Sequence, residues 1–147
     1  MRSKSKIGTS LARVKDAEEA LGVTLPGPLR QALCIANRLE FECIGEWWRL
    51  LPVWDRDNPR RTASHIVHEN HPEQRWPGLD EDLLIIATHF NTADLLVLRV
   101  VDGAASTELS FFDTASGSLE STDTDVFGLL DQACAYASEV ARRMKST

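Results

Sequence analysis

The chain has 147 residues, 43% of them hydrophobic and 26% charged, which fits one globular domain and excludes a collagen-like or wholly disordered polypeptide. Its apolar runs, such as Leu83–Ala87 and Leu95–Leu98, fall far short of the roughly 18 residues that cross a bilayer. The formal net charge of −6 is unevenly placed: residues 80–131 carry 11 acids against a single base, Arg99, a balance that repels nucleic-acid phosphates and favours encounter with a basic protein.

Residues 1–9 are polar and basic, with Arg2, Lys4 and Lys6, and no apolar stretch of a secretory signal follows them; they read as a disordered basic tail before one domain over 10–147. Three cysteines without CxxC spacing argue against a disulfide scaffold and place the chain in a reducing, cytoplasmic setting. Ser10 is positioned as an N-cap. Leu11, Val14, Ala17 and Leu21 follow at helical spacing, and Gly22 is a stop. Pro26-Gly27-Pro28 opens a second helix with the stripe Leu29, Ala32, Leu33 and Ala36, closed by Asn37. The run from Phe41 to Val53 lacks a helical period, and Gly45 divides it into two strands.

Asp57-Asn58-Pro59 predicts another helix, capped by Asn58, with Ala63, Ile66, Val67 and Asn70 along one side and Pro72 ending it. Leu83–Thr88, Asp94–Val101 and Glu108–Phe112 predict strands, the first two covered on both faces, with turns at 91–93 and at Asp102-Gly103. Ser116-Gly117 turns into a short strand, Leu119–Ser121. Asp123 or Thr124 then caps a long final helix whose stripe runs Val126, Phe127, Leu130, Ala133, Cys134, Ala137, Val140 and Ala141, with Arg142, Arg143 and Lys145 at its C-terminal end. The order ααββαββββα has no alternating βαβ series. It predicts an α+β domain: two N-terminal helices, a mainly antiparallel sheet of five or six strands with an inserted helix, and a long C-terminal helix.

Candidate chemistry is sparse. His65-x-x-His68-x-x-His71 could be extended by Glu69, Glu73 or His89 toward a metal, but without an HExxH or CxxC pattern it reads as a polar helix face, so no metal or cofactor is expected. Cys34, Cys43 and Cys134 could supply a nucleophile, but Cys34 and Cys134 fall on or beside apolar stripes and neither has a local histidine partner. The acid groups Asp80-Glu81-Asp82 and Asp123/Asp125 precede a strand and a helix, where carboxylates act as caps. Nothing matches GxGxxG, GxxxxGK[ST] or GxSxG. Four tryptophans, Trp47, Trp48, Trp54 and Trp76, lie close together; in a strand, adjacent Trp47 and Trp48 point to opposite faces, so one is a surface anchor for a partner or lies under a loop. Asp94, Asp102, Glu108, Asp113, Glu120 and Asp123 fall at strand ends or polar strand positions and are expected to share one rim of the sheet.

The segment Leu21-Gly22-Val23-Thr24-Leu25-Pro26-Gly27-Pro28-Leu29-Arg30 resembles the "LG..LP..LR" signature of the SUKH superfamily, which includes fungal cell-wall-assembly regulators and bacterial immunity proteins of polymorphic toxin systems. Leu84-Ile85-Ile86-Ala87 and Asp94-Leu95-Leu96-Val97-Leu98 resemble its central hairpin. The family's Asn-Gly after the second helix is Asn37-Arg38 here, and the glycines before the hairpin Asp are Asn91-Thr92-Ala93. The resemblance implies an α+β fold without catalytic activity. For bacterial members it implies neutralisation of a toxin domain, often a nuclease, which the acidic block suits. The expected partner is a basic protein, not nucleic acid or membrane, bound by a monomer or weak dimer through those six acids with Trp47 and Trp48. A regulatory adaptor of the same fold, with a non-toxin protein partner, is the alternative.

Overall fold

The computed structural model describes residues 8–145, without the side chains of 136, 137, 140, 141, 144 and 145; residues 1–7 of the expected tail lie outside the described residues. Helix α1 (Leu11–Leu21) starts as its sequence predicts. Ser10 accepts the Arg13 N–H at 3.2 Å, and Gly22 at φ 70° supplies the left-handed stop. Beyond the stop, Thr24 bonds Gly103 and Ala105 of the sheet, Leu25 is buried, and the Leu25 N–H donates to Glu18 at 2.8 Å. The 21–30 signature thus has a structural job: it seats the helix pair on the sheet.

Helix α2 (Gly27–Ile35) carries Pro28 in its first turn and buries Leu29, Ala32 and Leu33. It ends at Ile35, before Asn37. The Asn37 carboxamide instead accepts the Val53 N–H at 2.8 Å and donates to the Val53 carbonyl at 3.0 Å. A buried side chain has replaced a neighbouring strand as hydrogen-bond partner.

Strands β1 (Glu40–Cys43) and β2 (Glu46–Leu50) form a hairpin through Ile44-Gly45, at φ 48° and 75°. Two left-handed residues match the twist of the flanking strands. The sheet continues through β3 (Leu83–His89), β4 (Leu95–Val101), β5 (Ala104–Ala105), β6 (Glu108–Asp113) and β7 (Ser118–Asp125). Its strands are antiparallel in the order β1-β2-β3-β4-β6-β7, with β5 a short appendage of β4. Leu83–Ala87 and Leu95–Leu98 are buried on both faces, as their unbroken apolar runs predict. The turn at Asp102-Gly103 leads into β5 rather than directly into β6, and β7 outruns the predicted Leu119–Ser121 by four residues, to Asp125.

Two predicted helical features are corrected. Residues 56–64 form turns, and helix α3 is the single turn Ile66–Glu69. Polar side chains divert the backbone: buried Asp55 accepts the Asp57 N–H at 2.9 Å, and Thr62 Oγ1 accepts the Asp55 N–H at 3.0 Å and donates to the Asn58 carbonyl at 2.9 Å. The cap of α3 is His65 Nδ1, which accepts the His68 N–H. At the start of α4 (Val126–Lys145) the cap is Asp125, which accepts the Phe127 N–H at 3.1 Å and sits 3.4 Å from the Gly128 N–H, rather than Asp123 or Thr124. Asp123 itself adopts φ 61°, a kink just before the helix.

Val126, Leu129 and Ala133 of α4 are buried, whereas Phe127 and Cys134 of the predicted stripe face solvent; Ala137, Val140, Ala141 and Lys145 are outside the described side chains. Helix α4 packs on α2 and touches both edge strands, β1 and β7, so the sheet curls around a core that includes Phe41, Trp48, Leu96 and Leu109.

Candidate functional site

Antiparallel pairing gathers strand ends that are distant in sequence. At one end of the sheet lie the β1–β2 turn, the β3–β4 loop and the β6–β7 turn. At the other lie the start of β3, the end of β4, the start of β6 and the junction of β7 with α4. With β6 six residues long at about 3.4 Å per residue, the ends are roughly 17 Å apart. The six predicted acids are therefore not on one rim. Asp94 and Asp113 lie at the first end, Asp102, Glu108 and Asp123 at the second, and Glu120 midway along β7 opposite Phe111.

The first end is aromatic, and its carboxylates are occupied. Asp94 accepts the Thr114 N–H at 3.0 Å and hydroxyls from Thr92 and Thr114, pinning the β3–β4 loop to the β6–β7 turn. Asp113 accepts the Ala115 N–H at 2.9 Å, and Glu46 pairs with His89. Trp47 is 54% exposed here, beside exposed Ile44 and Phe90. Trp48, on the opposite face as alternation requires, is 0% exposed. Its indole N–H donates to the Cys43 carbonyl at 3.0 Å, and its ring meets those of His89 and Phe111 edge-on. As a core residue it is not available to a partner. Trp54 and Trp76 are exposed elsewhere, so the tryptophans do not all fill the core.

The second end is the acidic one. Asp80, Glu81 and Asp82 lead into β3, where Asp82 accepts the Val100 N–H from β4 at 2.7 Å through its carbonyl. Asp102 tips the β4–β5 turn at φ 53°, and Glu108 is the register partner of Asp125 across β6 and β7. Asp82 pairs with Arg99, and Asp125 is spent on the α4 cap. The carboxylates of Asp102, Glu108 and Asp123 make no hydrogen bond or ion pair among the described residues. Val101 and Phe127 stand exposed beside them, at 60% and 56%. The nearby Arg75 is turned inward, donating to the carbonyls of Asp80 and Leu83 at 2.6 and 2.9 Å. Burial pushes its pKa down, against the support of Glu81 and Asp82. Sequence reading missed Asp80, Glu81 and Asp82 as members of this surface because it treated them as caps. The available signal was that, in an antiparallel pair, the residues before β3 sit beside those after β4.

The histidines serve the backbone. His65 and His71 accept the N–H groups of His68 and Glu73, and burial, then the neighbouring His68, lowers the pKa of His65. Among the described residues no group of three or more His, Cys, Asp or Glu is arranged to hold a metal ion. Burial pushes the thiols of Cys34 and Cys43 up, keeping them protonated, while Cys134 is exposed. No helix among the described residues is long and apolar enough to cross a membrane. No family model, curated protein or solved structure matches the chain.

Proposed function

We propose that this chain is a non-enzymatic, cytoplasmic immunity protein that neutralises a bacterial toxin domain by covering its basic surface with the acidic end of the sheet. The observation that supports this most is the set of three unpaired carboxylates, Asp102, Glu108 and Asp123, around exposed Val101 and Phe127. Carboxylates without internal partners leave their field directed outward, steering a positively charged surface into contact. The apolar pair supplies area whose burial then holds the complex. A nuclease domain, basic because it binds phosphates, is the kind of partner this chemistry fits. The resemblance of residues 21–30 to the SUKH signature points the same way. Inhibition works by occlusion and needs neither cofactor nor metal.

The test is co-expression with candidate toxin domains taken from the neighbouring genes. The wild-type chain is expected to restore growth, and a variant carrying Asp102→Lys, Glu108→Lys and Asp123→Lys, shown by circular dichroism to be folded, is expected not to. Rescue by both, or by neither, overturns the proposal.

A further inference from the structure

On the face of the sheet away from α4, four arginines converge on one small hollow. Arg49 of β2 and its register partner Thr88 of β3 form the floor. Arg38, held at φ 75° between α2 and β1, comes from one side, and Arg60 and Arg61 come from the turn segment that replaced the predicted helix. Among the described residues, Glu69 is the one carboxylate in the lining of this pocket of about 180 Å³, and Glu40 stands beside it on Arg49.

The floor arginine is fixed. Arg49 is held over the Phe90 ring at 4.6 Å and by Glu40 at 3.7 Å, yet its Nε is buried without a hydrogen-bond partner among the described residues. Arg38, Arg60 and Arg61 make no ion pair or hydrogen bond there either. Burial, then the charges of Arg49 and Arg61, lowers the pKa of Arg38, against the support of Glu40. Like charges lining one half-exposed hollow repel one another, and an anion would relieve that repulsion.

We infer that this pocket is a binding site for a phosphate group. A guanidinium is a planar fork of donors suited to oxyanions, and several forks around one point exceed what the two oxygens of a carboxylate can satisfy, whereas a tetrahedral dianion presents acceptors to all of them. The volume sets the size of the ligand. Ligand pockets for drug-sized molecules run to about 300–1,000 Å³, so this hollow takes the phosphate itself and leaves any substituent in solvent. The site is on a different surface from the acidic end and does not depend on the function proposed above.

Calorimetric titration of the full chain with inorganic phosphate, with O-phosphoserine and with serine tests the inference. Saturable binding of phosphate or phosphoserine, but not serine, is expected. Equal affinities identify free phosphate as the source, and tighter binding of phosphoserine identifies a phosphate ester. Arg60→Gln and Arg61→Gln, exposed positions whose loss should leave the melting temperature unchanged, are each expected to weaken binding about tenfold, the order of one charge-assisted hydrogen bond. Absence of binding to the unsubstituted chain, or binding undiminished in both variants, overturns the inference.

Discussion

Asn37 and Asp55 are buried polar residues that organise the backbone around them. Asn37 closes two buried bonds to Val53, so Asn37→Ala strands a donor and an acceptor together. At 1–3 kcal/mol for each unsatisfied group, the expected loss is about 3 kcal/mol, read from the urea midpoint at unchanged m-value. Asp55 acts through charge. Burial is the largest influence on its carboxyl and pushes it up, but the Asp57 N–H, the Arg13 guanidinium and the Asn58 amide together hold it below the usual carboxylate range. A carboxyl depressed in the folded state stabilises fully above its unfolded pKa of about 3.9 and loses that contribution as pH falls through the folded value. Asp55→Asn is therefore expected to be less stable than the parent at pH 7, and the gap should narrow below about pH 4. A gap that stays constant with pH would refute the ionic role.

At the level of elements, local signals served where they acted alone. Ser10 and Gly22 bracket α1, and the doubly apolar runs of β3 and β4 are the doubly covered strands they predict. The reading failed where side chains compete for the backbone. Asn58-Pro59 has the form of a helix start, but Asp55 and Thr62 draw the same N–H and carbonyl groups into turns, a contest that spacing does not reveal. The α4 cap shows the same difficulty at a finer grain. Asp123 and Asp125 are equivalent as letters, and only the extension of β7 by pairing with Glu108 selects Asp125. Asp125→Ala is expected to cost about 1 kcal/mol by denaturation, whereas Asp123→Gly, a residue at ease at φ 61°, should cost little. A loss from Asp123→Gly with none from Asp125→Ala would mean that the helix starts earlier.

For the whole molecule, the acidic character of residues 80–131 was legible in the sequence, but its partition was not. Register divides Asp94 and Asp113 from Asp102, Glu108 and Asp123, and brings Asp80, Glu81 and Asp82 to the latter group. The fate of Trp47 and Trp48 was half legible: alternation separates them, but only the curl of the sheet around α4 decides which is buried. The measurement that bears most directly on the acidic end is the association rate with the toxin domain at low and high salt. The comparison is between the unsubstituted chain, the Asp102→Lys/Glu108→Lys/Asp123→Lys variant, and Asp113→Lys at the opposite end of β6. The triple reversal is expected to slow association at least about tenfold at low salt and to abolish its salt dependence, with Asp113→Lys close to the parent. Equal rates for all three, or a loss confined to Asp113→Lys, would contradict recognition through the acidic end.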